Sequence, residues 1–357
     1  MNELKTLHII GSKALGGAER SFSRIVGALN RAGVIAEAVV RSGSPVPDIL
    51  PEGVTAHLLP LRTVWDPLSR FEVGKLIRQT QPDLVQTYMG RATRLTHLPA
   101  GKRPIHVARL CGNYQPQHFV HAHAWVACTK WVADYLLAGG IPANKLSIIP
   151  NFLPTLPVAT GEELAASRAG WNLAESDLVI GAIGRLQHIK GFDMLIKAFA
   201  RLPREIDGRR PVLAIAGEGE LAPALTKLAT DLGLGDRVRL LGWTNRPDLL
   251  LRLSDVVAFT SRPNEGFGNV TLETWDAGTP LVTTRSKGAS ETTRHLDTAW
   301  QVDCEDAAGL AEGLLNVLHD RELAARLVAA GRHELASRYS EEAVIRQFVD
   351  LYATLTR

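Results

Sequence analysis

The chain is poor in cysteine. Its three, Cys111, Cys128 and Cys304, are spread over 357 residues in no metal-ligand spacing, so reduced thiols are expected rather than a disulfide framework or a zinc ribbon. No uncharged apolar run is long enough to span a bilayer, and Met1-Asn2-Glu3-Leu4-Lys5 leads into a strand-like Leu7-His8-Ile9-Ile10 without the character of a signal peptide. A cytoplasmic location is the expectation. The helix-turn-helix, zinc and aromatic-platform patterns of nucleic-acid binders are missing, and nucleic acid is not expected as a partner. Asp-x-Asp, a common holder of divalent cations, does not occur. The turn after the first apolar run, Gly11-Ser12-Lys13-Ala14-Leu15-Gly16-Gly17-Ala18-Glu19-Arg20-Ser21, lacks the G-x-G-x-x-G spacing of a dinucleotide site. It also has Gly17-Ala18 where a P-loop needs Lys followed by Ser or Thr.

What is present is an ordinary globular composition, 45% apolar and 22% charged, in a chain long enough for two domains. Charge is uneven: residues 1 to 155 carry 17 Lys and Arg against 9 Asp and Glu, and the remainder carries 23 against 28. A basic half attracts phosphates, whether in a nucleotide or on a lipid surface. Short apolar runs alternate with helix-length amphipathic segments. In the first half the runs are Leu7 to Ile10, Ala36 to Val40, His57 to Leu59, Leu84 to Thr87, His106 to Leu110, Trp125 to Cys128 and Leu146 to Ile149. In the second they are Leu178 to Ile183, Val212 to Ala216, Val238 to Leu241, Val256 to Phe259, Leu281 to Thr283 and Ala299 to Val302. Such alternation predicts α/β structure, parallel sheets covered by helices. The Pro-rich Pro150-Asn151-Phe152-Leu153-Pro154-Thr155-Leu156-Pro157 separates the two series and reads as a linker. Two doubly wound, Rossmann-like domains facing across a cleft are expected, with ligands at the carboxyl ends of the strands.

Two carboxylates, Glu265 and Glu273, bracket Gly266-Phe267-Gly268-Asn269-Val270-Thr271-Leu272 between an apolar strand and a helix start. Carboxylates accept hydrogen bonds from vicinal hydroxyls, and the N–H groups of a helix start suit a phosphate, so a sugar nucleotide fits this pairing. About eighty residues upstream, Gly184-Arg185-Leu186-Gln187-His188-Ile189-Lys190-Gly191-Phe192 follows another apolar run and sets two cations between glycines. Fixed cations stabilise the charge that builds on a departing diphosphate and can replace a metal there. Gly217-Glu218-Gly219 is a further tight turn at a strand end. A zinc site at His118, His121 and His123 would need a third or fourth ligand in reach, nothing nearby looks like one, and no metal site is assigned.

In these motifs and in their order, together with Gly242-Trp243, Asp255 and Asp276-Ala277-Gly278-Thr279-Pro280, the chain resembles the retaining family-4 glycosyltransferases of GT-B fold. The resemblance implies an acceptor-binding domain over 1–152 plus a returning C-terminal helix at about 340–357, and a donor-binding domain over 153–339. It implies an enzyme moving a hexose from a nucleoside diphosphate sugar, UDP favoured over GDP, to a glycan or glycolipid hydroxyl in lipopolysaccharide or envelope polysaccharide assembly. No cofactor is implied. Glu265 would hold sugar hydroxyls, Glu273 the ribose, Arg185 and Lys190 the diphosphate, and the backbone of Gly266, Phe267 and Gly268, with Asn269 and Val270, the sugar and phosphate. Gly217 and Glu218 would lie on the nucleotide side, and Gly242, Trp243 and Thr244 beside the base. Gly16 and Gly17 would lie next to the donor phosphate and acceptor. Many relatives place a sugar-bonding histidine where this chain has Arg109-Leu110-Cys111-Gly112-Asn113-Tyr114, so Cys111, Gly112, Asn113 and Arg20 are the acceptor or sugar-side candidates. Two other classes remain open on the residues alone, an NAD-dependent oxidoreductase and a non-catalytic nucleotide-sugar-binding subunit. The stretch Arg91 to Arg103, with Arg91, Arg94, Lys102 and Arg103 among apolar residues, suits acceptor phosphates or an anionic membrane at the inner face of a bilayer.

Overall fold

Parallel strands covered by helices need largely apolar runs, and thirteen runs become strands in the computed structural model, which describes residues 4–112, 114–154 and 158–357. Residues Met1–Pro154 with Tyr339–Arg357 form one compact unit, and Thr155–Arg338 form a second.

Unit 1 holds β1 (Lys5–Ile10), β2 (Ile35–Arg41), β3 (Ala56–Leu59), β4 (Leu84–Tyr88), β5 (Ile105–Leu110), β6 (Ala124–Ala127) and β7 (Leu146–Ile148). They make a seven-stranded sheet of order β3-β2-β1-β4-β5-β6-β7, parallel throughout. Unit 2 holds β8 (Asp177–Ile183), β9 (Arg210–Ala216), β10 (Val238–Gly242), β11 (Val256–Phe259), β12 (Leu281–Thr284) and β13 (Trp300–Val302). Its parallel sheet runs β10-β9-β8-β11-β12-β13. In both sheets the chain winds outward, returns to the middle and winds out the other way. The reversal falls between β1 and β4 in unit 1 and between β8 and β11 in unit 2, where a doubly wound sheet opens a crevice at its carboxyl end.

The stretch read as a linker is packed as far as Leu153. Asn151, Phe152 and Leu153 are buried, and the Leu153 N–H donates to the Tyr339 carbonyl at 3.2 Å. Asn151 accepts hydrogen bonds from Ser21 (2.9 Å) and from the buried Arg109 guanidinium (2.8 Å), which also donates to the Ile149 and Pro150 carbonyls. Satisfying that guanidinium is what orders the segment, because a buried unpartnered cation is costly. Thr155–Pro157 lie outside the described residues.

The helix Glu341–Leu355 starts on a Ser340 cap, and its Val344, Ile345, Phe348 and Tyr352 join the core of unit 1. There the Tyr352 hydroxyl donates to Gln86 Oε1 at 2.8 Å, Gln86 Nε2 donates to the Tyr88 hydroxyl at 2.7 Å, and that hydroxyl lies 3.0 Å from His8 Nδ1. Thr6 Oγ1 stands 3.0 Å from the other ring nitrogen. Burial pushes His8 from its ordinary 6.5 down to about 3. His106 is likewise held well below its usual range, first by burial and then by the neighbouring histidines.

A histidine kept neutral when folded but free to charge when unfolded makes stability depend on acid. Above pH 6.5 the contribution is complete, and it is lost as pH falls from there toward the folded value, at about 1.4 kcal/mol per pH unit for each such residue. Unfolding free energies measured by urea titration between pH 6.5 and 5, above the carboxylate range, should fall with that slope. His8→Gln should lower the slope by one residue's share, whatever it does to stability at pH 7. An unchanged slope would remove His8 from this account.

Candidate functional site

Three strand ends in unit 2 are joined by backbone alone. The Gly184 N–H donates to the Ala216 carbonyl (3.0 Å), Gly217 N–H to the Gly242 carbonyl (2.8 Å) and Leu186 N–H to the Glu218 carbonyl (2.8 Å). This seam needs glycine: at Gly217, which has φ +147°, a Cβ would strike the Gly184 carbonyl oxygen. Arg185 follows directly and is exposed, and its side chain makes no hydrogen bond or ion pair among the described residues. Glu218 is also exposed, and Trp243, just past the positive-φ Gly242, is about half exposed at 52%. Thr244 turns back to accept from the Arg246 N–H at 3.1 Å.

Gly191, in a left-handed conformation, lies against the end of β11, where a Cβ would strike the Thr260 carbonyl oxygen. Thr260 Oγ1 donates to the Lys190 carbonyl at 3.0 Å. That approach sets Lys190 Nζ 2.5 Å from Glu265 Oε2, with the ammonium 5.8 Å from the centre of the Phe259 ring. Ser261 Oγ donates to the same carboxylate oxygen at 3.0 Å. Both partners are mostly shielded, at 18% and 16% side-chain exposure. Arg262 supports the turn from the other side, pairing with Asp193 at 3.0 Å and Glu305 at 2.6 Å, while its N–H donates to the Ile189 carbonyl at 2.8 Å.

Beyond Glu265 the chain is pinned twice by close packing. A Cβ on Gly268 would enter the Phe259 ring, and one on Gly288 would enter the backbone of Phe267. The helix Val270–Ala277 then starts at Asn269 with no side-chain cap, and Glu273 sits half-buried in its first turn. The structure therefore brings Lys190 and Glu265 into contact, and it places Gly184, Arg185, Gly217, Gly242 and the 265–273 segment on the carboxyl ends of β8, β9, β10 and β11. Ser261, Arg262 and Gly288 escaped the sequence reading. Glycine at 288 and the polar run after β11 are the only local signals for them.

In unit 1, Gly16 and Gly17 open the helix Gly17–Arg31, again without a side-chain cap, and Arg20 is half-buried on its first turn. Glu19 is buried and accepts from Ser12. A cavity of about 530 Å³ opens where the strand order reverses, lined among others by Ser12, Met89, Arg91, Arg94, Tyr114 and His118. Arg20, Cys111 and Gly112 are not among its lining residues, and Asn113 lies outside the described residues.

The basic stretch from Arg91 is not one surface. Arg91 is half-buried, donating to the Gly11 carbonyl at 2.7 Å, and Arg103 pairs with Asp83 at 2.9 Å. The helix here is only Met89–Leu95. Two of the three histidines are spent on structure: His121 stacks on His97 with ring centres 4.1 Å apart and bonds the Thr93 carbonyl, while His123 accepts from the His106 N–H. Among the described residues, no three His, Cys, Asp or Glu side chains are placed to hold a metal ion.

The cysteines, remote in sequence, are not all remote in space. Cys111 and Cys128 follow Leu110 and Ala127, which pair across β5 and β6. A hydrogen bond from Cys128 and the neighbouring Arg109 pull the Cys111 thiol below the ordinary range, whereas burial pushes Cys304 up. Iodoacetamide should therefore alkylate Cys111 at a lower pH than Cys304, as read by peptide mass spectrometry. Labelling of Cys304 first would contradict the assigned order.

The profile of Glycosyl transferases group 1 matches residues 165–334, and that of Glycosyltransferase Family 4 matches residues 15–155. The chain is 33% identical, over 95% of its own length and 96% of the relative's, to the lipopolysaccharide core biosynthesis glycosyltransferase LpsE of Rhizobium meliloti. It is 32% identical to a GDP-mannose-dependent phosphatidylinositol monomannoside mannosyltransferase of Mycobacterium tuberculosis, over 58% of this chain and 56% of that one. Anabaena HepE, solved with UDP-glucose, superposes with a TM-score of 0.83 at 20% identity, covering 99% of this chain and all of that one. Two parallel sheets of this order, and a relative one-third identical from end to end, show that the chain belongs to the family-4 glycosyltransferases, the glycosyl transferases group 1, and has their GT-B fold.

Proposed function

We propose that the protein transfers a sugar from a nucleoside diphosphate sugar to a hydroxyl of a lipopolysaccharide-core type glycan or glycolipid, with retention and without a metal. Unit 2 holds the donor and unit 1 the acceptor. The observation that carries the donor reading is the Lys190–Glu265–Ser261 contact at the end of β11, beside the glycine seam that presents Arg185. Lys190 and Arg185 neutralise the diphosphate, Glu265 accepts from sugar hydroxyls and Glu273 from the ribose. Gly217 with Glu218 lines the nucleotide, and Gly242, Trp243 and Thr244 border the base. The Gly266 to Val270 backbone contacts sugar and phosphate, and the turn at Gly16 and Gly17 contacts the acceptor side. Membership of the family removes the oxidoreductase alternative.

Before the donor binds, Lys190 is held by Glu265, so the cation is already in place and shielded from water. A preorganised cation costs no rearrangement as charge develops on the leaving group. The bond from the anomeric carbon to the diphosphate oxygen breaks, the acceptor oxygen bonds the same face, and the departing phosphate oxygen takes the acceptor proton. No protein nucleophile is required. The expected preference for UDP over GDP has no support, since relatives use or bind both: the mycobacterial enzyme is GDP-mannose-dependent and HepE was solved with UDP-glucose. The lipopolysaccharide setting rests on the LpsE relationship, and a lipid-linked acceptor implies peripheral contact with an anionic membrane. Among the described residues no helix is long and apolar enough to cross a membrane.

A panel of UDP-, GDP- and ADP-sugars should contain at least one that raises the melting temperature and is hydrolysed or transferred in excess EDTA, because a ligand bound to the folded state stabilises it. Stabilisation by none of them would end the donor reading, and activity abolished by EDTA and restored by a divalent ion would end metal independence. With that donor in hand, Lys190→Ala should lower turnover by a factor on the order of 100 in a folded protein. Glu273→Gln should weaken the free nucleoside diphosphate, whereas Glu265→Gln should spare it and impair transfer. Equal loss of diphosphate affinity in both would overturn the division between ribose and sugar.

A further inference from the structure

Helix Pro67–Thr80 turns Ser69, Val73 and Ile77 inward. The opposite stripe, Leu68, Phe71, Lys75 and Arg78, stands in solvent, and Trp65 precedes it in the entering turn. Trp65 is 79% exposed, Phe71 59% and Leu68 45%. These three large apolar side chains fall within seven residues, whereas singly exposed ones elsewhere need no explanation. The surrounding charge is basic. Arg62, Arg70, Lys75 and Arg78 are exposed, against Asp66 and Glu72, and Asp66 is occupied as the helix cap, accepting from Leu68 N–H at 3.2 Å and Ser69 Oγ at 2.6 Å. The Arg94 guanidinium lies 4.7 Å over the Trp65 ring, and Arg70 donates to the Arg94 carbonyl at 3.3 Å.

We propose that this face, Trp65, Leu68 and Phe71 ringed by Arg70, Lys75, Arg78 and Arg94, is where the protein lies on an anionic lipid surface. An aromatic ring that is apolar at one end and polar at the other, beside aliphatic side chains and flanked by basic residues on one helix face, has the chemistry of an interfacial helix. Charge complementarity selects the occupant. A second copy would bring the same basic ring against itself, whereas anionic headgroups neutralise it while the apolar trio enters the acyl boundary. The proposal deepens the membrane part of the functional reading and keeps only Arg94 of the Arg91–Arg103 stretch, whose first arginine is committed to the Gly11 carbonyl and whose last is committed to Asp83.

The test is sedimentation of the full chain with vesicles of phosphatidylglycerol and phosphatidylcholine, against phosphatidylcholine alone. The protein should pellet with the anionic vesicles at low salt and be released near about 0.5 M salt, where screening shortens to a few ångströms. The combined variant Trp65→Ser, Leu68→Ser, Phe71→Ser should lower the vesicle partition by a factor of about 10 or more. Lys102→Gln with Arg103→Gln should leave it near that of the parent. Nucleoside diphosphate affinity should be unchanged in all of them, so failure here is separate from failure of the donor reading. A parent protein that stays in the supernatant, or a triple variant that pellets like the parent, would overturn the proposal. So would a concentration-dependent dimer that the triple variant abolishes, since the face would then belong to a second copy.

Discussion

Unit 2 depends on the place where its strand order reverses. Chain leaving β8 turns one way over the sheet and chain leaving β11 turns the other way, so neighbouring carboxyl ends diverge and the loops after them become the only material at that edge. Those loops can approach closely only if side chains are withdrawn from the contact. Gly217 against Gly184, Gly191 against Thr260, and Gly288 against Phe267 are three such withdrawals, each bringing backbone to backbone. Once they are made, Lys190 and Glu265, 75 residues apart, can reach each other at 2.5 Å.

That pair differs in kind from the ion pairs on the outer helices. Lys227–Asp231 and Lys130–Asp134 are exposed i,i+4 contacts, worth at most a few tenths of a kcal/mol and screened by salt. Lys190 and Glu265 are shielded, approach across different segments, and share the carboxylate with a serine hydroxyl. Breaking a pair of that sort from one side leaves the other charge stranded, so losing either partner costs more than losing one of the exposed pairs. Unit 1 treats its own buried cation differently: Arg109 is satisfied by carbonyl oxygens and an amide and lies 5.0 Å from the Phe348 ring, with no carboxylate partner among the described residues.

Much of the architecture is legible in the sequence because parallel strands covered on both faces leave an unbroken apolar signature. Every run marked as a strand becomes one, with ends displaced by a residue or two, as where Trp125 to Cys128 is displaced to Ala124–Ala127. The motif residues of unit 2 are legible for a related reason: glycines and charges at fixed offsets from a strand end have few other uses. Contacts between distant segments are not. Nothing near Lys190 announces Glu265 as its partner, and nothing near Cys111 announces Cys128, because each meeting depends on strand register or loop course. Arg91 and Phe71 depart from the usual burial of their residue types in opposite directions. A basic residue normally found in water is tied to the Gly11 carbonyl, and an aromatic normally found in a core stands in solvent. The Pro-rich segment does hold the boundary between the units, at Pro154 and Thr155, but proline marks irregular backbone without saying whether a buried arginine will claim its carbonyls.

The return of the chain to unit 1 has a consequence for how the molecule is made. Tyr352 meets Gln86 across 266 residues of sequence, and Arg31 meets Glu341 across 310. Unit 2 is contiguous, from Thr155 to Arg338, and all of its strands have been synthesised before the first residue of helix Glu341–Leu355 exists. During translation, which proceeds at roughly 5–20 residues per second, the second unit can complete its sheet while the first still waits for the helix that covers Gln86 and His8. The half that begins earlier on the ribosome cannot close its core until the last helix has been made.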